Sequence, residues 1–191
     1  ERISHEIKSI KKVSNKNNFT RITTTSLSSS LKKINNNISN TSSINNGNLG
    51  HAILEIAAQN KWEINVELNV KRLLKTYKVN QNNAHNLIKL INKTIILMKH
   101  ETALSDSLIS EFPFLFKKEN KLIDGVIDLI SFNKKTINIY DYKFSNDSLA
   151  NIKLKYSNQI KIYHDALIAS NIQFDQINCF LISISNNGIE K

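Results

Sequence analysis

Apolar positions along this chain follow two spacings, and the change from one to the other divides the sequence. From Asn48 they recur every three or four residues: across His51 to Gln59, then at Val66, Val70, Leu73, Leu74 and Tyr77, then at Ala84, Leu87, Ile91, Ile95 and Met98. Such spacing puts apolar groups on one face of a helix and predicts three helices. From Leu108 onward the pattern becomes alternation and short apolar runs, which predict strands over Leu108 to Phe116, Lys121 to Phe132 and Lys135 to Lys143. Lys118-Glu119-Asn120 and Asn133-Lys134 are polar breaks short enough for tight turns, so these strands form an antiparallel meander. Helical spacing returns from Ile152 to Ser170, and the apolar run from Gln176 to Ser185 predicts a last strand reached by a helical crossover. The fold class is therefore α/β, a mixed sheet with helices packed on it and a helical part before it.

Residues 1–46 show neither spacing. They are rich in Ser, Thr, Asn and Lys, with runs such as Ser-Leu-Ser-Ser-Ser, and cannot bury enough apolar surface to offset the entropy of ordering. They are expected to form a low-complexity linker or arm, with the domain proper over 47–191.

Composition narrows the class. A chain of 191 residues with 40% apolar and 22% charged positions can build one ordinary core without covalent staples. The formal net charge of +10 favours an anionic partner, with nucleic acid the first candidate. Compositional bias in a coding sequence rich in Lys, Asn and Ile codons is the plain alternative. Cys179 is the single cysteine, which excludes an internal disulfide, a cysteine-based zinc site and a four-cysteine iron–sulfur cluster, and suits a cytosolic setting. No apolar run approaches the ~20 residues that span a bilayer, so no membrane partner is expected. The start Glu1-Arg-Ile-Ser lacks signal-peptide architecture and an initiator methionine, as expected for a piece of a longer chain or a processed one. The glycines are Gly47, Gly50, Gly125 and Gly188, and no G-x-x-x-x-G-K-[ST] occurs, so no P-loop ATP site is expected here.

The chemistry concentrates in the meander. On the third predicted strand Ile137, Ile139, Asp141 and Lys143 share one face and Tyr140 and Tyr142 the other. An acid and an amine at the end of a core face must be paired or metal-bound, because buried charge costs several kcal/mol otherwise. Glu111, Asp128, Asp141 and Lys143 fall on three successive strands, where sheet pairing can gather them. Grouped carboxylates attract a hard divalent cation such as Mg²⁺, which lowers the pKa of an attacking water, while a neighbouring lysine steadies developing charge. Surface ion pairs at strand ends are the alternative reading of the same residues.

These residues also resemble a family, the PD-(D/E)xK nucleases of the RecB and AddA type found at the C-terminus of bacterial helicase–nucleases. Gly125-Val-Ile-Asp128-Leu is similar to its G-x-I-D-L strand, Asp141-Tyr-Lys143 to its D-Y-K strand, and Gln159 with Tyr163 to its Q-x-x-x-Y helix. Gly47, His51 and Glu55 fit a G-x-x-x-H-x-x-x-E helix start, and Ser110-Glu111-Phe-Pro-Phe resembles the segment that supplies a further acid. The resemblance runs from Gly47 to about Ser185 with the motifs in order. It implies a restriction-endonuclease-like fold and a deoxyribonuclease using Mg²⁺, with Mn²⁺ as substitute. Asp128 and Asp141 would be metal ligands and His51 a further ligand or phosphate contact. Glu111 would be a carboxylate near the metal, Lys143 the catalytic lysine, and Gln159 and Tyr163 would contact DNA or brace the site. A helicase motor in the same longer chain or a partner subunit, single-stranded DNA as substrate, a role in double-strand-break repair and a bacterial cytoplasmic location follow by the same resemblance.

Two departures stand out. Phe144 follows the lysine where the family carries a small or hydroxyl residue, and Asp124 is a spare acid expected nearer solvent. The absence of cluster cysteines favours the AddA or RecB branch, and the helix Ile152 to Ser170, the strand Gln176 to Ser185 and the trailing Asn-Asn-Gly resemble AddA-type tails more than RecB ones. A catalytically silent DNA- or helicase-binding module, and a stand-alone exonuclease of the same fold, are the rival readings. Lys117-Lys118, Lys134-Lys135 and Lys153-Leu-Lys155 are candidate phosphate contacts along a strand's path.

Overall fold

The computed structural model describes residues 20–23, 39–170 and 172–191. The rest of the expected arm, residues 1–19 and 24–38, lies outside the described residues. The described chain runs β1 (Thr20–Thr23), α1 (Ser39–Gln59), α2 (Val66–Leu73), α3 (Gln81–Glu101), β2 (Ser107–Lys118), β3 (Lys121–Asn133), β4 (Thr136–Phe144), α4 (Leu149–Ala169), β5 (Gln176–Ser185) and β6 (Gly188–Glu190).

The strands form one mixed, six-stranded sheet. β2, β3 and β4 make the expected antiparallel meander, and β5 returns through α4 to lie parallel to β4. Both meander turns are two residues long, and their first residues, Glu119 (φ 55°) and Lys134 (φ 53°), take the left-handed backbone that short hairpin turns require. Helix starts follow capping rules: Asn65 accepts from the Leu68 amide, Asn80 from Asn82 and Ser148 from Asn151.

Three parts of the structure were not foreseen. Helix α1 begins at Ser39 rather than near Asn48. Residues Thr41 to Ile44 of its first turns are exposed, so they carry no buried apolar period; contacts such as Asn83 Nδ2 to Ser42 Oγ and Asn45 Nδ2 to the Lys78 carbonyl tie this part of the helix to neighbouring segments. β1 is a short polar strand parallel to β3, and Arg21 grips Asp124 with two hydrogen bonds of 3.1 and 2.9 Å. That pair accounts for the spare acid. β6 closes a hairpin on β5 through Asn186-Asn187.

Two cores result, one on each face of the sheet. On one, Leu49, Ile53, Leu54 and Ala57 of α1 meet Ile91 and Met98 of α3 and the sheet residues Leu129, Tyr140, Tyr142 and Ile182. On the other, Tyr163 and Leu167 of α4 cover Ile127, Ile130, Ile137 and Ile139. The alternation expected along β4 is thus realised, with Tyr140 and Tyr142 under α1 and Ile137 and Ile139 under α4. Among the described residues no helix is long and apolar enough to cross a membrane.

Ile139 is fully buried at the centre of the second core. Ile139→Ala is expected to destabilise the fold by about 2–5 kcal/mol, since the cavity adds to the lost transfer energy. Urea unfolding followed by the emission of Trp62, the single tryptophan, measures it; a loss below 1 kcal/mol would mean that this face is not packed as described.

Candidate active site

The site forms where strand β3 changes partners. β2 lies along one edge of β3 from Lys121 to Phe132. The other edge is shared, by β1 at Lys121–Asp124 and by β4 at Leu129–Asn133. Between those two partners β4 has peeled away, and Asp128 sits in the fork.

The pleat slips at the same place. Ile127 belongs to the core under α4 and Leu129 to the core under α1, although residues two apart on a regular strand share a face. On β2, Leu108 and Phe112 show the same switch, and between them Glu111 adopts φ 49°. Pairs Ser110↔Leu129 and Phe112↔Ile127 flank the Glu111–Asp128 position, which drops out of the ladder. Left-handed backbone at a non-glycine residue costs roughly 1–3 kcal/mol and persists where the surroundings over-determine it. Here it turns two acids toward one place.

Asp128 takes over bonding that the ladder gives up. Its Oδ2 accepts the Tyr142 amide at 2.8 Å, the N–H that faces β3 beyond the last β3–β4 pair. The same oxygen lies 3.4 Å from His51 Nδ1, which descends from α1. Burial raises the Asp128 pKa, but His51, Lys143 and the Tyr142 amide outweigh it and hold the carboxyl below its ordinary value. Burial likewise lowers the His51 pKa and is outweighed by Asp128, so the imidazole is held above its ordinary value. The ring of His51 is fixed edge-on against Tyr142 and 5.7 Å from Phe144.

Phe144, the departure noted in the sequence, finds its space at Gly50. A Cβ built on Gly50 would meet the Phe144 ring at 2.1 Å, so the glycine is what lets this aromatic lie over α1. The two residues belong together: the side chain beside the lysine has room to be large because the helix opposite is bare at Gly50.

On the α4 side of the fork sits a second charged group. Asp141 is 1% exposed and forms an ion pair with Lys143. Its Oδ1 accepts from Tyr163 Oη at 3.1 Å and Gln159 Nε2 at 3.3 Å, while Gln159 also donates to the Tyr163 hydroxyl. Burial, then the nearby Asp128 charge, push the Asp141 carboxyl up to about 6, against the pull of Lys143. Burial lowers the Lys143 pKa, yet Asp141 and Asp128 more than compensate, so the amine stays an ammonium above its usual value. The Tyr163 hydroxyl is pushed up by burial and stays neutral, as its role as donor to Asp141 requires.

His51, Glu111 and Asp128 each place a ligand atom within 4.8 Å of the others. Burial, Asp128 and Glu55 raise the Glu111 carboxyl above its ordinary value, against His51. Glu55, one turn along α1 from His51, is held by Gln59, which also reaches Ser110 Oγ at 3.4 Å. One imidazole and two carboxylates that repel one another are a donor set that a divalent cation satisfies, because it supplies the charge the cluster lacks. Asp141, expected as a ligand beside Asp128 and His51, lies outside this three-residue group and is occupied by Lys143, Gln159 and Tyr163.

A model of the PD-(D/E)XK nuclease superfamily matches residues 28–190. The chain belongs to that superfamily. No curated protein matches it. The superfamily assignment makes this a nuclease domain, and its mixed sheet with flanking helices is the restriction-endonuclease-like fold.

Sequence reasoning missed two contributors. Tyr156 places its ring 4.5 Å from Lys143 Nζ, a cation–π contact that holds the lysine from the α4 side. Its spacing was the signal, since Tyr156, Gln159 and Tyr163 lie on one helix face. The Tyr142 amide could not have been found, because it is the fork between β3 and β4 that leaves this N–H to a side chain.

Removing Lys143 should expose how Asp141 is compensated. Lys143→Met leaves a buried carboxylate unpaired and should cost about 3–5 kcal/mol at pH 7.5. Asp141 already has a raised folded pKa, so its ionisation weakens the fold as pH rises through about 6 and its protonation relieves the strain below that. The deficit of the variant should therefore shrink toward pH 5. Equal deficits in urea unfolding at both pH values would contradict the pairing.

Proposed function

We propose that this domain is a divalent-metal-dependent deoxyribonuclease that cuts unwound DNA. The observation that carries the reading is the convergence of His51, Glu111 and Asp128 beside the buried Asp141–Lys143 pair, in a member of a nuclease superfamily. His51, Asp128 and Glu111 would hold Mg²⁺ or Mn²⁺, with Asp141 available as a further ligand once Lys143 moves off it. A cation there supplies Lewis acidity toward a phosphate oxygen and a lower pKa for a bound water.

The chain's own residues divide the remaining work. Lys143 stays protonated, so it acts as a fixed positive charge and hydrogen-bond donor rather than as a base. Of the two acids in the three-residue group, Glu111 is the one whose proton affinity is raised, and it is less enclosed than Asp128, so it is suited to accept a proton or a ligand bond. Gln159 and Tyr163 position Asp141 through its Oδ1. The net charge of +10 favours encounter with a polyanion.

The order of the five motifs from Gly47 to about Ser185 supports a narrower version. In it the chain is the C-terminal, AddA-like nuclease part of a bacterial cytoplasmic helicase–nuclease, working as an exonuclease on single strands in double-strand-break repair and recombination. The helicase motor then belongs to the longer chain or to a partner subunit.

Cleavage of labelled single-stranded and duplex DNA with Mg²⁺, Mn²⁺ or EDTA tests the assignment. Asp128→Asn and Asp141→Ala should each lower cleavage by at least ~10²-fold, as expected for loss of electrostatic stabilisation at a reacting centre. DNA binding should remain. Metal-dependent cleavage that persists in both variants would refute the site, and binding without cleavage in the intact chain would favour the silent-module reading.

Proton and metal should also compete at His51. Because its pKa is raised by Asp128, Mn²⁺ affinity measured by calorimetry should rise with pH through and above the ordinary histidine range. A pH-independent affinity, or one unchanged in His51→Ala, would remove His51 from the ligand set.

A further inference from the structure

On the α1 side of the sheet, a cavity of about 320 Å³ opens between α1, α3 and the β5–β6 turn. We propose that this cavity receives an unpaired nucleobase of the strand being cut, an inference that rests on the nuclease reading above. Phe144 joins the two places: it forms part of the cavity wall, and its ring lies 5.7 Å from that of His51, whose Nδ1 is 3.4 Å from Asp128. A nucleotide with its phosphate at the acidic cluster has its neighbours beside this opening.

The wall chemistry selects the ligand class. In a chain of net charge +10, the cavity is lined by no Asp, Glu, Lys, Arg or His. Backbone phosphates and metal ions therefore find no counter-charge in it. Amides dominate instead, and each amide presents a donor and an acceptor side by side, the pattern that base edges complement. Of the lining residues, Asn86 Nδ2 on α3 donates to Asn186 Oδ1 in the β5–β6 turn at 2.7 Å, which leaves the Asn86 Oδ1 acceptor and the Asn186 Nδ2 donor to other partners. Asn46 of α1 also lines the cavity, and its Oδ1 is buried without a hydrogen-bond partner. Leu90, Ile184 and Phe144 provide the apolar contact that a base plane needs.

A base can enter only after leaving its stack. Entry is least costly from a single strand or a frayed end, so the cavity selects for unwound DNA at the nucleotide beside the cut. The acidic cluster then needs no base contacts of its own, and strand preference arises at a distance from the reacting phosphate.

The test uses the whole chain with fluorescent single-stranded oligonucleotides in which one nucleotide at a time is abasic. Binding is read by anisotropy in EDTA and cleavage in Mn²⁺, for the parent chain and for Asn86→Ala and Asn186→Ala. Both asparagines are exposed, so the variants should fold, and Trp62 emission checks that they do. For the parent, one abasic position should weaken binding roughly fivefold, about the worth of one uncompensated hydrogen bond. The variants should lose a similar factor on the intact oligonucleotide and nothing further at that abasic position, the coupling expected of contacting groups. Variants that bind every oligonucleotide like the parent, or losses that multiply at every position, would overturn the proposal while normal cleavage leaves the nuclease reading standing. A chain that neither binds nor cleaves any oligonucleotide would overturn both.

Discussion

A single unmade stretch of β-ladder organises this molecule. Where β4 leaves β3, a backbone amide that would have bonded to strand is left facing the fork, and the Asp128 carboxylate accepts it at 2.8 Å. A buried, unsatisfied N–H costs about 1–3 kcal/mol, so the carboxylate stabilises the fork and is in turn fixed by it. Glu111 and His51 gather around this contact. Glu111 is opposite Asp128 on the neighbouring strand with the pleat broken on both, and His51 comes down from α1 onto the same carboxylate oxygen.

The fork also lets the two layers of helices communicate through the sheet. In an unbroken sheet, residues facing α1 and residues facing α4 are separated by the backbone. Here Asp128 stands between them, close enough to raise the pKa of His51 and, together with Asp141, that of Lys143. The acids divide accordingly. Asp128 is held ionised by its partners, while Asp141, enclosed with Asp128 nearby, is pushed up to about 6 and relies on Lys143. Two neighbouring carboxylates are thus driven in opposite directions by their surroundings.

Helix α4 and helix α1 contribute differently. Tyr156, Gln159 and Tyr163 form a polar edge on an otherwise apolar helix face and fasten Asp141 and Lys143 from below. On α1, Gly50 makes room for Phe144, and Phe144 with Tyr142 sets the plane of His51. The lysine-adjacent aromatic is thus compensated by a glycine nearly a hundred residues earlier, a relation that no local pattern along the chain reveals.

Periodicity alone determined the helices after Asn48, the meander, the crossover helix and the strand that follows it, because those elements bury one face and so must repeat at 3.6 or 2 residues. It also determined which residues could not stay uncompensated: an acid and an amine at the end of a core strand had to find partners, and Asp141 and Lys143 found each other. Elements stabilised by polar contacts with distant segments left no such trace. The first turns of α1, the strand at Thr20–Thr23 and the hairpin at Gly188–Glu190 contribute little apolar repetition, and only tertiary neighbours order them. The choice of Glu111 and His51 rather than Asp141 to share a three-membered group with Asp128 was likewise decided in three dimensions. Sequence places these side chains on strands and faces; the slip of the pleat at Asp128, a non-local consequence of two strands competing for one edge, decides which of them meet.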